Sequence, residues 1–476
     1  MVFRKDILRF SAFPAQCLRI FSTILAIHGS AYAAQPAFPN AIGFGKTAVG
    51  WRGGEVVAIT NLQDSGPGSL RNCVENTKKP RVCVFDVSGT IFLKRPLFFS
   101  SNLYLAGQTA PGQGIQLRLQ AGNSTPVILK NTTNVLIRFL KIRPGAGPKE
   151  SANIDAITVE SSQFIYLDAL SMQFASDETF NIHVNKMAVQ NVTLARSILS
   201  HSLDHSVHPK GRHSKGALIC SHEGPASMPL GCGVISLVQN LFAHNRDRNP
   251  DVKGTDIGPI EIINNVFYNP ISQLGEFYDL LGTATIYYIG NVTQSGPSTK
   301  RAPLTSVEAF DWHDDFDLRI FEQDNINLWR NACAHPTRLP ILDPEAEKFR
   351  ILIPENESGI VPRPAETLRV EIGGLVGAQL PQWGGLDKLD AQAVMDFETC
   401  EGKVIDTPEQ AGGWPVLIKA RRDPDSDGDG MPDSWENMKS GLSASLGGQA
   451  WGDRDNDGWS NLEEYLSWLA GDTQKP

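Results

Sequence analysis

A short apolar segment recurs through the middle of the chain at an interval too long for one helix and too regular for loops. VLIRFLKIR begins at 135, IYLDALSMQF at 165, VTLARSILS at 192, ISLVQNLFAHN at 235, IEIINNVFY at 260 and IYYIGNVTQ at 286. The starts are separated by 30, 27, 43, 25 and 26 residues. Each run has strand length and is rich in β-branched and aromatic residues. One such unit cannot cover its own apolar side chains, whereas a stack of them buries a continuous core. Asn240, Asn265 and Asn291 hold the same place in three successive units. Stacked amides can bond along a ladder. The pattern therefore predicts an all-β parallel β-helix, with a β-sandwich as the alternative.

The 43-residue interval is the irregular one. It holds HSLDHSVHPKGRHSKGALICSHEGPASMPLGC. Repeat proteins carry function on loops that break their period. Beyond about residue 300 the period fades. The Pro-rich stretch 301–420 reads as decoration packed on the solenoid.

The N-terminus places Arg4, Lys5, Arg9 and Arg19 before an apolar run from Ile20 to Ile27, followed by AYAA at 31–34. That order is expected of a secretory leader spanning 1–33 and cleaved near Ala33. The run is shorter than the ~20 residues a membrane span needs. Export agrees with the cysteines. Outside the leader they fall as Cys73/Cys83, Cys220/Cys232 and Cys333/Cys400. The first two pairs are close enough in sequence for local disulfides. No C-x-x-C spacing speaks for zinc.

The formal net charge is −9. From Asp423 onward there are twelve acids against three bases, so the acidity belongs to the tail. No basic stripe points to nucleic acid. The tail is specific in another way. DSDGDGMPDSWE places Asp425, Asp427, Asp429, Asp433 and Glu436 at positions 1, 3, 5, 9 and 12, with Gly430 at position 6. DRDNDGWSNLEE repeats this with Asp453, Asp455, Asp457, Asn461 and Glu464 around Gly458. Alternating hard oxygens, a turn glycine and a final glutamate are the formula of an EF-hand calcium loop. Residues 421–476 are thus expected to form a small structural Ca2+ module after a 34–420 main domain.

Several stretches of the main domain resemble one family. AIGFGKTAVGWRGGEVVAITNLQDSGPGSLRNCVE (41–75), FDVSGTIFL (85–93), LAGQTAPGQGI (105–115) and IDTPEQAGGWP (405–415) are similar to secreted bacterial pectate lyases of polysaccharide lyase family 1. The resemblance spans nearly all of the chain after the leader. It implies a right-handed parallel β-helix and calcium-assisted β-elimination of α-1,4-polygalacturonate, an acidic plant cell-wall polysaccharide. A monomer is expected.

The resemblance also assigns residues. DRNPDVK (247–253) matches an Arg-x-Pro-x-x-Arg motif, which puts the base at Arg248. The second cation falls on Lys253, which lacks the arginine fork. Lys215 in SKGALIC matches a lysine that contacts substrate carboxylate; His213, two residues before it, is read from its position as a further cleft residue that binds substrate. The implied calcium ligands are Asn153 and Asp155, then Asp177 and Asn181, with Glu178 as a further carboxylate. Two of these positions carry amides where the family has acids. Asp168, without the histidine that follows it in the family, reads as structural.

Two other functions are compatible with the residues. A glycoside hydrolase on the same fold would need paired carboxylates, for which Asp168 and Asp177 are candidates. A non-catalytic pectate-binding protein would follow from the two lost acids. A transition-metal site at His201, His205, His208 and His213 is a further possibility.

Overall fold

The computed structural model describes residues 35–473 except 121–123, 148, 225–229, 255, 301–303, 330–332 and 335–336. The expected leader, 1–33, lies outside the described residues. Pro36–Pro476 forms one compact unit. Its tail and its repeats share that unit.

The repeats stack as three sheets, parallel throughout except for one short antiparallel pair at an end (Ile326–Trp329 with Thr337–Arg338). A ten-stranded sheet takes the first half of each repeat, including Thr133–Arg138, Gln163–Asp168, Gln190–Ala195, Ile235–Val238, Ile260–Ile263 and Ala284–Ile289. A second ten-stranded sheet takes the second half, such as Ser171–Gln173 and Ile198–Ser200. A third sheet of eight strands runs through Ile157–Glu160, Glu178–Val184, Lys215–His222, Asp251–Val252, Gly275–Tyr278 and Val307–Phe310. This is a right-handed parallel β-helix, the hand that parallel crossovers take. The sandwich alternative is excluded, because every neighbour in the first sheet is one coil away and parallel.

The bend between the first two sheets is built the same way in seven coils. Phe139, Ala169, Arg196, Gln239, Asn264, Gly290 and Asp324 all have φ between 50 and 64°. One left-handed residue turns the chain sharply without a loop. In the last four coils the next residue is asparagine. Asn240 donates to Asn265 (2.9 Å), Asn265 to Asn291 (3.2 Å) and Asn291 to Asn325 (3.0 Å). The ladder read from sequence exists and gains a fourth rung, Asn325.

Apolar residues of all three sheets fill the interior. Two outer faces are also covered. Ala365–Leu375 and Lys388–Thr399 are helices that pack on Ile198, Leu241, Val266 and Val292 of the second sheet. The tail places Met431, Trp435, Leu462 and Tyr465 against Val82, Tyr104, Leu136 and Tyr166 of the first. A buried ion network fastens it there. Arg138 bonds Asp168 (2.7 Å) and takes both carboxylate oxygens of Asp472, while Arg196 also bonds Asp168. Asp168 is fully buried, the structural role expected of it.

Both expected local pairs are disulfides, Cys73–Cys83 and Cys220–Cys232, and Cys333 is joined to Cys400 as a third. Among the described residues no helix is long and apolar enough to cross a membrane.

Candidate active site

The third sheet carries the chemistry. Its strands begin with polar side chains where the preceding loop enters, so successive coils bring sequence-distant residues side by side at ~4.8 Å spacing. Glu178 pairs in register with Lys215, and Lys215 bridges to Asp247 on the following coil. Arg248 comes next, with φ at 56°, before the strand Asp251–Val252.

Three carboxylates converge. Ligand oxygens of Asp155, Asp177 and Glu178 all lie within 4.8 Å of one another. Asp155 is fixed from three sides: its oxygens accept the Glu178 amide (3.2 Å), the Thr158 hydroxyl (2.6 Å) and the Asn181 amide (3.4 Å). Burial and Glu178 push the Asp155 carboxyl up to about 8; burial, Glu178 and Asp155 push Asp177 up to about 10. Acids so crowded in a dry place call for protons or a cation. The donor set, all hard oxygen, fits calcium.

Two implied ligands sit differently. Asn153 is exposed; its backbone N–H donates to the Ser151 hydroxyl and its backbone carbonyl accepts from Thr125. Asn181 turns its carbonyl oxygen to the Ser221 hydroxyl (3.1 Å) and its NH2 to Asp155. It braces a carboxylate and presents no oxygen to the cluster.

The cations surround this cluster. Arg248 donates to Glu178 and lies 3.6 Å from Asp251. Burial opposes its charge, but Glu178, Asp251, Asp247 and Asp177 outweigh burial and hold the guanidinium above its usual range. Lys215 is buried against Asp247 at 2.6 Å. Lys253 stands 5.5 Å from the centre of the Tyr278 ring.

His213 is buried, with Nε2 2.9 Å from Asp177, and His208 stacks on it at 3.7 Å between ring centres. Burial and Lys215 hold His213 far below the ordinary imidazole range, so it is neutral. The Lys210 amide donates to Nδ1 of His208. The hydrogen of neutral His208 is therefore on Nε2, the nitrogen facing Asp177. That leaves no lone pair there for a transition metal. His213, expected in the substrate cleft, faces Asp177 there.

Asp247, Thr158 and Glu276 are site residues that sequence reasoning did not assign, and His208 was read only as one of four candidate metal ligands. Burial, Asp251 and Asp247 push Glu276 up to about 8. Position in the repeat was the available signal: Asp251 and Glu276 are register partners on adjacent coils.

The tail loops close as the formula predicts at positions 1, 3 and 5. Asp425, Asp427 and Asp429 converge, as do Asp453, Asp455 and Asp457. Gly430 and Gly458 sit at φ 94 and 95°, which side chains rarely tolerate. In the first loop Asp427 Oδ2, Asp429 Oδ2 and both oxygens of Glu436 are buried without a hydrogen-bond partner. Orphaned carboxylate oxygens around one point fit a dication. Asp433 instead caps Ser426 through its amide (2.8 Å) and hydroxyl (2.7 Å). In the second loop Asn461 Oδ1 is buried and unpartnered, whereas Glu464 accepts from Arg454 (3.2 Å).

No protein-family model matches the chain. Curated relatives do. The chain is 31% identical over 405 residues to a protein named probable pectate lyase C of Emericella nidulans, covering 84% of this chain and 85% of that one. It is 31% identical over 427 residues to the protein of that name in Aspergillus terreus, covering 88% and 90%. Among solved structures, that of jun a 1, the major allergen from cedar pollen, has a TM-score of 0.49 and 16% identity, over 71% of this chain and 92% of that one. The sequence motifs pointed to bacterial members; these relatives are fungal. With such identity over most of both lengths, the chain belongs to the pectate lyase family.

Proposed function

We propose that this protein is a secreted pectate lyase that cleaves α-1,4-polygalacturonate by calcium-assisted β-elimination, giving 4,5-unsaturated oligogalacturonates. The observation that carries this reading is the meeting of Asp155, Asp177 and Glu178 with Arg248 and Lys215 on adjacent coils along one sheet. Asp155, Asp177 and Glu178 would hold the calcium. Bound there, the ion would draw electron density from a uronate carboxylate and make its C5 proton more acidic.

The chain's own residues account for the rest. Lys215 and Lys253 receive substrate carboxylates, and Asp247 sets the direction of Lys215. Arg248 takes the C5 proton as general base. To do so its guanidinium must first be neutral, which the surrounding acids oppose. A dication held by the three carboxylates would weaken that opposition and the hold of Glu178 on Arg248. The C4–O bond then breaks as the C5 electrons form the double bond. The two tail loops hold structural calcium in this reading.

The glycoside hydrolase alternative loses its pair, because Asp168 is buried between Arg138 and Arg196, away from Asp177. The test is to incubate the protein with polygalacturonate and calcium at alkaline pH and follow ultraviolet absorbance of the new conjugated double bond. Absorbance that disappears with chelator and in Arg248→Ala supports the lyase. Reducing ends released without that absorbance would identify a hydrolase, and binding without turnover a carbohydrate-binding protein.

A further inference from the structure

Of the nine tryptophans in the chain, Trp312 alone is exposed, at 59%. It stands beside the substrate-facing sheet. Lys253 leads to Tyr278 on the next coil, and Tyr278 pairs in register with Phe310 on the one after. The two rings stack at 4.6 Å and 10°. Trp312 meets Tyr278 in a T-shaped contact at 5.4 Å. Its loop is not slack: the buried carboxylate of Asp279 accepts the amides of Trp312 (2.7 Å) and His313 (3.1 Å). An aromatic platform is therefore held rigidly one to two coils beyond the last cation of the site.

The charge of the cleft changes sign at this point. Toward the centre stand Arg248, Lys215 and Lys253. Beyond Lys253 the sheet carries the half-buried Glu308, and Asp311, Asp314 and Asp315 flank Trp312 as exposed acids. A galacturonate carboxylate there meets like charge. An uncharged ring keeps its apolar C–H face for stacking and incurs no repulsion.

We propose that Trp312, with Tyr278 and Phe310, forms an outer subsite for an uncharged sugar unit of the substrate chain, either a methyl-esterified galacturonate or a neutral sugar. The proposal rests on the lyase reading for its substrate and on the platform for its specificity. It makes the enzyme select boundaries in pectin, with a free carboxylate at the centre and an uncharged unit outside.

The test compares wild type, Trp312→Ala, Trp312→Phe and Asp314→Asn/Asp315→Asn on two polymers of matched length: polygalacturonate and partly methyl-esterified pectin. Binding isotherms and kcat/KM are both measured. Trp312→Ala is expected to lower the pectin-to-polygalacturonate ratio about two- to tenfold, the scale of one aromatic contact. Trp312→Phe retains most of it, and the double asparagine variant shifts the ratio toward polygalacturonate. An equal ratio in wild type and Trp312→Ala overturns the subsite while leaving the lyase intact. If wild type turns over neither polymer, the lyase reading falls and the binding ratio alone decides the subsite by the same criterion. Trp312 is exposed, so melting temperatures should coincide; a large loss in Trp312→Ala would make it a packing residue and overturn the proposal.

Discussion

The Lys215 ammonium lies 2.6 Å from a carboxylate oxygen of Asp247, the residue immediately before Arg248. One buried ion pair thus joins the residue proposed to clamp substrate to the peptide that presents the proposed base. Lys215→Ala should leave Asp247 buried without its cation, at a cost of about 3–5 kcal/mol. Asp247→Asn keeps the shape and still accepts a hydrogen bond. We expect Lys215→Ala to lose both activity and melting temperature. Asp247→Asn should mainly raise KM. Steady-state kinetics beside thermal melts separate the two; matching losses in both variants would show that the pair is only structural.

Arg248→Ala should lower kcat by about 10²–10⁴-fold, the range for loss of a general base. The same change removes the only arginine that hydrogen-bonds Glu178 among the described residues. Calcium affinity at the carboxylate cluster should therefore be kept or tightened. Calorimetric titration alongside kinetics checks this. A variant that loses calcium binding together with activity would argue that Arg248 organises the cluster and is not the base.

In chelator, stability should fall as pH rises through about 6 to 7. Burial, followed by Asp427, pushes Glu436 up to about 7, and Asp429 is pushed up to about 6 by burial. Unfolded, both groups titrate near pH 4, about the ordinary carboxylate value. Between these limits the folded chain binds more protons, so its stabilising effect is complete below about pH 4 and is lost through the raised values. Calcium should reverse the trend, because it replaces those protons. Melting curves at pH 5 and pH 8, with calcium and with chelator, test it. No pH dependence in chelator would sink the prediction.

Asp472→Ala removes two of the hydrogen bonds that hold the fully buried Arg138. Asp168→Asn removes the carboxylate charge shared by Arg138 and Arg196. Either should cost about 3–5 kcal/mol, because a buried guanidinium loses its counter-charge. Neither residue faces the third sheet, so kcat at moderate temperature should be unchanged.

Asn265→Ala breaks the ladder in its middle. The Asn240 backbone N–H and side-chain NH2 both lose the Asn265 oxygen as acceptor, while Asn291 keeps the backbone N–H of residue 265. Buried amides left unsatisfied cost about 1–3 kcal/mol each. Denaturant unfolding of Asn265→Ala against Asn325→Ala, at the end of the ladder, should show the larger loss at the centre.

How much of this was legible varied by residue. The strand period located the first two sheets, because a corner of one residue keeps both strands of a unit adjacent in sequence. Asn240, Asn265 and Asn291 were visible for that reason. Asn325 was not, because the connection before it lengthens the spacing to 34 residues. The third sheet was harder, since its strands enter after loops of variable length. Arg248, Lys215, Asp155, Asp177 and Glu178 were found through motif resemblance and do meet. The roles of Asn153 and Asn181 were not readable. Whether an amide turns its oxygen to a metal or to Ser221 depends on a neighbour 40 residues away. Asp247 and Thr158 carried no local signal either, because each acts on a partner fixed by the stacking.

The left-handed corner between the first two sheets has an evolutionary consequence. A turn made by a single residue has no room for an insertion, since one more residue would throw the next strand out of register and out of the stack. In these seven coils length changes only at the other two corners, which lead into and out of the third sheet, whereas the earlier coil Leu103–Leu119 makes the same corner with eight residues. Between the second and third sheets the connection is four residues at 174–177 and fourteen at 201–214. In those seven coils a residue gained or lost is therefore delivered to the edge of the substrate face. The geometry of the corner channels drift in chain length into changes of specificity and shields the stack from it.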